Sequence, residues 1–158
     1  MSDNLKEAAT NNETRKHISN VNKFVSLFNM LLNERAINHD ATKMSTPELE
    51  LFTEVTERLA GCTYGSEEYN KFLGELKPAL DHHYARNRHH PEHYANGIED
   101  MTLVDIVEMF CDWKAATLRH NDGNILKSIE HNTKRFNISP QLAQIFKNTA
   151  ELFDNMKH

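Results

Sequence analysis

Histidine is the residue type with the clearest capacity for chemistry in this chain, which has ten, five of them between positions 82 and 93. That segment reads His-His-Tyr-Ala-Arg-Asn-Arg-His-His-Pro-Glu-His. So many imidazoles beside arginines are best accommodated when they bind a metal or face an anion, although a solvated loop would hold one or two. The segment therefore predicts a metal or phosphate site. His82/His89 and His83/His90 are equally spaced, so spacing leaves the ligand of each doublet open.

The pair His39-Asp40, followed by Lys43, is the second chemical element. An adjacent imidazole and carboxylate can reach one metal ion, and the second carboxylate oxygen can bridge to another. Lys43 would lie on a neighbouring face of a helical turn, where it can hold a phosphate oxygen as a point charge. A capped turn between two helices and an ordinary solvated lysine are the alternatives.

Three acidic residues, Asp105, Glu108 and Asp112, share one face of a predicted helix. A solvated acidic face is the commoner meaning of such a pattern. Asp112, however, lies in the apolar run Met-Phe-Cys-Asp-Trp, where a buried carboxylate needs a partner such as a metal ion. We therefore predict Asp112 as a ligand, with Glu108 behind it. His17 joins the candidates because Glu13 precedes it by one helical turn, so the two side chains can converge.

Helices must position these residues, because apolar residues recur at helical spacing and only five glycines and four prolines interrupt them. No alternating strand pattern is present. We predict an all-α, single-domain bundle of about six helices over residues 13–158, preceded by a flexible lead over residues 1–12. Residues 85–100 are predicted as an irregular loop, with turns at 64–66 and 121–123. The predicted helices are 13–35, 45–60, 67–84 (kinked or split at Pro78), 103–119, 124–136 and 140–156.

Composition limits the classes of function. The net charge of −5 argues against binding to duplex nucleic acid, and no run of apolar residues is long enough to span a membrane. The first residues are polar and lack the apolar stretch of a secretory signal, and two cysteines in unrelated contexts do not suggest a disulfide framework. We therefore expect a cytoplasmic protein, and the predicted metal or phosphate site makes a small phosphorylated substrate the expected partner. The oligomeric state is left open.

Taken in order, these elements resemble the HD-domain superfamily, whose pattern is a histidine, a His-Asp doublet and a distant aspartate on a helical bundle. The elements are His17, His39-Asp40-x-x-Lys43, His89-His90-Pro91-Glu92 and Asp112. Two further stretches, His-His-Pro-Glu-His-Tyr and Glu-Met-Phe-Cys-Asp-Trp-Lys-Ala-Ala, resemble a family of uncharacterised phage and bacterial proteins. The Gly-Tyr-Pro stretch of the branch that hydrolyses cyclic dinucleotides is absent, so that branch's substrate is not implied.

The resemblance implies an HD-like helical domain and a set of metal ligands. The set for the first ion is His17, His39, Asp40 and Asp112. The residues implied to complete a second ion are His83, His89 and His90.

Our leading hypothesis is a metal-dependent phosphohydrolase that acts on a nucleotide or related phosphoester. One or two divalent transition-metal ions, whether Mn, Fe, Ni, Co or Zn, would activate water and polarise the phosphoryl group. Asp40 is assigned as the bridge between the ions. Phosphate binding is assigned to Lys43, Arg86, Arg88 and His93. Proton transfer to the leaving oxygen is assigned to Glu92 or His93.

Two alternatives come from other classes of protein. Some HD-like proteins with histidine-rich sites use a di-iron pair to cleave carbon bonds with oxygen, and histidine-rich ligation suits iron as well as manganese, zinc or nickel. The other alternative is a non-catalytic helical module with a structural metal, which would bind a partner in a phage–host setting. A structural site is expected to be closed, with no open position for water or substrate.

Overall fold

The chain is built from α-helices, which a computed structural model describes for residues 3–60, 67–118 and 123–156. The helices are α1 (Asp3–Asn38), α2 (Glu48–Ala60), α3 (Glu67–Glu75), α4 (Lys77–Arg86), α5 (Leu103–Thr117), α6 (Ile125–Arg135) and α7 (Pro140–Asn155), with short 3-10 helices at Ala41–Met44, Pro91–His93 and Gly97–Asp100. Those residues contain no strand, so the predicted all-α class is confirmed. The predicted turns at 64–66 and 121–122 lie outside the described residues.

Chain contacts divide the protein into two units, residues 1–37 and 38–158, each of which is described by itself. The first unit is formed by α1, which begins at Asp3. A flexible lead was predicted for residues 1–12, and the structure is helical from Asp3 onward. The reason is helix propensity, since the run Leu-Lys-Glu-Ala-Ala at residues 5–9 contains only strong helix formers.

The apolar core of the second unit is formed by α5, α6 and α7. The rings of Phe110 and Phe146 stack with centroids 5.4 Å apart, and Trp113 meets Phe146 edge-on at 5.6 Å. Ser139 caps the first turn of α7, as the Ser-Pro signal predicts, by accepting a hydrogen bond from the Leu142 amide. The buried core residues are Met109, Phe110, Ile125, Ile129, Ile138, Ala143, Phe146 and Ala150.

A second packed region is formed by α2 against α3 and α4. The predicted start of α2 after the Ser-Thr-Pro run is confirmed, and α2 begins at Glu48. The predicted split near Pro78 is also confirmed, because α3 ends at Glu75 and Pro78 lies in the first turn of α4. Val55 and Ala79 are fully buried between these helices. This packing places the first turn of α2 beside the histidines of α4.

The segment after α4 is held to the start of α5. Thr102 and Asp105 form a reciprocal capping box, and Arg88 donates to both oxygens of Asp105 at 3.2 Å. The guanidinium also lies over the Tyr94 ring, 5.3 Å from its centroid. The predicted irregular loop is shorter than 85–100, because α4 continues to Arg86 and two 3-10 helices follow. The anchored segment carries the second histidine doublet toward α5.

No helix among the described residues combines the length and apolar character needed to cross a bilayer.

Candidate metal centre

His39 and Asp40 occupy a sharp turn that precedes the 3-10 helix Ala41–Met44. Asp40 has a φ of 55°, a left-handed conformation that aspartate tolerates better than most residues. The turn brings the two side chains to the same side, with His39 Nε2 at 3.6 Å from Asp40 Oδ2. The turn therefore brings together two side chains, those of His39 and Asp40, that usually point apart in adjacent residues.

Asp40 lies at the middle of the cluster, and its two oxygens face different partners. Oδ1 lies 3.2 Å from His83 Nε2 and 3.5 Å from His89 Nε2. Oδ2 accepts a hydrogen bond from Lys43 Nζ at 2.6 Å and lies 3.6 Å from His39 Nε2. This division is the arrangement that a bridging carboxylate requires.

Glu108, from the buried face of α5, lies behind two of the histidines. Its Oε1 is 3.1 Å from His39 Nδ1 and 3.2 Å from His89 Nδ1. The hydrogen bond to His39 favours a proton on Nδ1 of that ring, which leaves its Nε2 lone pair for a metal, whereas His89 Nδ1 only lies close to the carboxylate. On both rings Nε2 is the nitrogen that faces Asp40.

Glu48 occupies the equivalent position behind the first histidine doublet. It is fully buried, and it accepts hydrogen bonds from His82 Nδ1 at 2.7 Å and His83 Nδ1 at 2.8 Å. Thr42 Oγ1 donates to the same carboxylate at 3.0 Å. Asn87 Nδ2 donates in turn to Thr42 Oγ1 and to the His83 carbonyl. The network fixes the ring of His83 with Nε2 toward Asp40.

Several buried polar atoms in the cluster have no hydrogen-bond partner among the described residues. They are Asp40 Oδ1 and both ring nitrogens of His89. Their short distances to neighbours do not have hydrogen-bond geometry, and an unsatisfied buried polar atom costs about 1–3 kcal/mol. Two acceptor atoms that face each other cannot form a hydrogen bond, because neither has a proton to donate. A cation between them would satisfy both.

The donor atoms form three overlapping groups whose members all lie within 4.8 Å of one another. Ligand atoms about 2.1 Å from a common ion lie about 3.0–3.4 Å apart, close to the separations found around Asp40. The groups are Asp40-His83-His89-His90, His39-Asp40-Asp112 and His39-His89-Glu108. These buried and half-buried groups could hold a metal ion.

Three carboxylates control the charge of His39. Hydrogen bonding to Asp112 and Glu108, with the nearby charge of Asp40, raises the pKa of His39 to about 10 despite burial. Burial opposes ionisation of Asp40, yet the neighbouring His83 and the hydrogen bond from Lys43 hold the pKa of Asp40 below its ordinary value. The pKa of Asp112 is lowered against burial in the same way, by His39. Asp40 and Asp112 are thus held ionised beside the histidines, which favours a bound cation.

His90 differs from His39 because no carboxylate is bonded to it in the described contacts. Burial, reinforced by the neighbouring His89 and His83, lowers the pKa of His90 to about 3. Its Nε2 lies 2.9 Å from His83 Nε2. His90 is therefore held as neutral imidazole, the form that binds metals.

Most of the predicted ligands come together in this cluster. The group around Asp40 contains His83 rather than His82, which is the choice that spacing left open. His17 lies on α1 with an exposed side chain, in the first unit, and its metal role stays a prediction. The predicted ligands that the structure brings together are His39, Asp40, His83, His89, His90 and Asp112.

Of the predicted phosphate-binding and proton-transfer residues, Lys43 contacts the cluster directly. Arg88 instead pairs with Asp105, so its guanidinium has a structural partner.

Glu92 pairs with Arg135 at 2.7 Å, and His93 Nδ1 donates to the Tyr84 carbonyl at 2.9 Å. Arg86 is exposed on the last turn of α4. The roles assigned to these residues stay predictions.

Two carboxylates behind the histidines were not predicted equally well. Glu108 is expected from its position one turn before Asp112, but the solvated acidic face is wrong, because Asp105 and Glu108 are buried. Glu48 is missed, since in the sequence it reads only as a first-turn carboxylate of α2. Its contact with His83 spans 35 residues, so local spacing gives no signal for it.

Fold and site together define an all-α protein with a histidine–carboxylate cluster that could hold a metal ion. The chain belongs to the family of unknown function DUF5662, which it matches over residues 6–152. No curated protein and no solved structure is found to match the chain.

Proposed function

We propose that the chain binds one or two divalent transition-metal ions at this cluster and hydrolyses a phosphoester of a nucleotide or related small molecule. The observation that carries the proposal is Asp40, a carboxylate with one oxygen toward His83 and His89 and the other toward His39 and Lys43. The order of elements that resembles the HD-domain superfamily supports the same reading.

The donor set supports a transition metal. Imidazole nitrogens combined with carboxylate oxygens suit manganese, iron, cobalt, nickel and zinc, whereas all-oxygen sites suit calcium and magnesium. His39, Asp40 and Asp112 would hold one ion. The other would be held by Asp40, His83, His89 and His90. Asp40 belongs to both groups and would bridge them.

Partial access from solvent favours catalysis over a purely structural metal. The side chains of His39 and Asp112 are 29% and 27% exposed, whereas His83 and His89 are almost completely buried. One side of the cluster is therefore enclosed and the other faces solvent, from which water and a substrate could approach.

Phosphoester hydrolysis fits the charges around this open side. When bound, divalent ions supply Lewis-acid polarisation of the phosphoryl oxygens and lower the pKa of a coordinated water. Lys43 Nζ is bonded to Asp40 and its side chain is 40% exposed, so a small rotation would carry its charge to a phosphate oxygen. The carboxylates of Glu108 and Glu48 hold the rings of His39 and His83 in place from behind.

The test is elemental analysis of freshly purified protein, followed by a panel of nucleotides, cyclic dinucleotides and simple phosphoesters with manganese, nickel and iron. Stoichiometric metal and phosphate or phosphomonoester release under anaerobic conditions would support the proposal. Protein without metal under all loading conditions would contradict it. Iron-loaded protein that turns over only with oxygen, and with no phosphoester, would favour the oxygenase alternative.

A further inference from the structure

We propose that Glu48 is a positioning residue that sets the tautomer of His83 and thereby builds the half of the cluster formed by Asp40, His83, His89 and His90. The inference rests on the proposed function insofar as that half holds a metal. It concerns a buried residue of α2 that makes no contact with substrate or ion itself.

The first step is the proton on His83. An ionised carboxylate can only accept, so the 2.8 Å contact between Glu48 and His83 Nδ1 requires a proton on Nδ1. Thr42 Oγ1 donates to the same oxygen of Glu48. Asn87 Nδ2 also lies 3.0 Å from His83 Nδ1, but it has two other acceptors, Thr42 Oγ1 at 2.8 Å and the His83 carbonyl at 2.9 Å. Thr42 Oγ1 lies 3.3 Å from the same ring nitrogen and donates to Glu48 instead. Each donor near His83 Nδ1 therefore has an acceptor other than that nitrogen.

The second step concerns the opposite edge of the same ring. With its proton on Nδ1, a neutral His83 presents a lone pair at Nε2, which lies 3.2 Å from Asp40 Oδ1 and 2.9 Å from His90 Nε2. A lone pair facing a carboxylate oxygen is repulsive unless a cation lies near both. Glu48 thus turns His83 into a ligand by fixing the far side of its ring.

The third step is burial. Glu48 has no exposed surface, and its second oxygen accepts from His82 Nδ1 at 2.7 Å. A carboxylate is costly to bury unless its hydrogen bonds are complete, and at this site three donors supply them. A side chain that served only to cap α2 would be expected to reach solvent at the helix end.

Glu48→Gln is the most direct variant, because the amide keeps the shape of the side chain. Its oxygen can accept from one imidazole, while its NH2 group must donate and so favours a proton on Nε2 of the histidine it meets. We expect metal bound through His83 to weaken by about 10–100-fold, as for other groups that orient metal-bound histidines. Glu50→Gln, an exposed position on the same helix, is the matched control and should bind metal as the wild type does.

The experiment combines two measurements. Two-bond ¹H–¹⁵N NMR on metal-free wild-type protein reports the tautomer of His83, which should be protonated at Nδ1; protonation at Nε2 would overturn the inference whether or not the chain binds metal. Titration with Mn²⁺ or Co²⁺ then compares the affinities and stoichiometries of the wild type, Glu48→Gln and Glu50→Gln, with circular dichroism to verify folding.

The outcomes separate this inference from the proposed function. Weaker or lost binding of one ion in folded Glu48→Gln, with Glu50→Gln unchanged, supports the role of Glu48. Equal binding by all three proteins overturns it and leaves metal-dependent hydrolysis standing. If Glu48→Gln does not fold, the tautomer measured in the wild type decides. A wild type that binds neither Mn²⁺ nor Co²⁺ overturns the metal-building role together with the proposed function.

Discussion

At the scale of single residues, the cluster depends on side chains whose two polar atoms contact different partners. His39 and His83 each present Nδ1 to a buried carboxylate and Nε2 to Asp40. Asp40 in turn divides its oxygens between the two sets of rings. Because each ring is fixed at its outer nitrogen, the inner nitrogens are preorganised, and little side-chain entropy remains to be lost on metal binding.

Lys43 is expected to act on substrate rather than on metal. Lys43→Ala should leave metal content unchanged and raise KM for the phosphoester about tenfold, which corresponds to about 1.4 kcal/mol of lost phosphate binding. Lys77→Ala removes an exposed lysine paired with Asp81 and should leave both quantities unchanged. Steady-state kinetics with metal analysis measures the effect. Loss of metal from Lys43→Ala, or an unaltered KM, would refute the assigned role.

His39 should release a proton when metal binds. Its raised pKa of about 10 means that the ring is protonated at pH 8 in the metal-free protein, and only the neutral ring can be a ligand. Binding at pH 8 should therefore release about one proton from His39, and affinity should rise as the pH approaches 10. Calorimetry in Hepes and in Tris, whose ionisation enthalpies differ, measures the release. Buffer-independent enthalpies would contradict the expectation.

At the scale of elements, much of the site comes from helix ends and the segments beside them, while Glu108 and Asp112 come from the middle of α5. The first turn of α2 supplies Glu48, the turn before the 3-10 helix Ala41–Met44 supplies Asp40, and the segment after α4 supplies His89. Segments without regular structure are usually mobile, so each needs an anchor. The capping box of α5 and the Arg88–Asp105 pair provide the anchor for the segment that carries His89.

Asp105→Asn tests that anchor. Burial opposes ionisation of Asp105, but Arg88 and Thr102 hold its pKa below the ordinary value. The ionised group therefore stabilises the fold above the unfolded pKa of about 3.9, and this stabilisation is lost as the pH falls below it. At pH 7 the variant should lose about 1.5–3 kcal/mol of unfolding free energy, as expected for a hydrogen bond to a charged group.

Urea unfolding at several pH values measures the difference between wild type and Asp105→Asn, which should narrow below about pH 4. Glu99→Gln, at an exposed position two residues after Gly97, is the control and should follow the wild type. A difference that stays constant from pH 7 to pH 3 would show that the charge of Asp105 does not matter.

The α5–α7 core makes a second prediction at this scale. Ile129 is completely buried, whereas Leu126 on the same helix is 52% exposed. Ile129→Ala should lower the unfolding free energy by about 2–5 kcal/mol, because it removes buried methyl groups and leaves a cavity. Leu126→Ala should change it by no more than about 1 kcal/mol. Equal effects of the two substitutions, measured by thermal or urea unfolding, would contradict the packing described.

At the scale of the whole molecule, sequence patterns predicted the helices better than the contacts between them. The starts of α2 and α7 and the split near Pro78 follow from proline and capping residues, which act locally. The start of α1 was missed because residues 3–12, of which seven are polar, resemble a flexible terminus although they contain strong helix formers. Local patterns therefore predict helices where a specific stop or start residue is present.

The residues of the candidate site also differ in whether local sequence or contacts between helices reveal them. His39-Asp40 and the histidine doublets are visible in the sequence because their density is unusual. Glu48 is not, because a glutamate in the first turn of a helix is common and its contact with His83 depends on how α2 packs against α4. The ion pair between Arg88 and Asp105 could not be predicted from the sequence either. The sequence shows only that Arg88 lies near histidines, whereas the pair depends on how its segment packs against α5.

The metal content of Asp40→Asn, compared with the wild type, tests the proposed centre most directly. Asparagine keeps the size of the side chain and tolerates the left-handed backbone at this position, but it lacks the charge and the second oxygen acceptor. Asp81→Asn, at an exposed site on α4, is the matched control. We expect wild type and Asp81→Asn to contain stoichiometric transition metal by elemental analysis, and folded Asp40→Asn to contain little or none. Wild-type metal content in Asp40→Asn would contradict a centre built on Asp40.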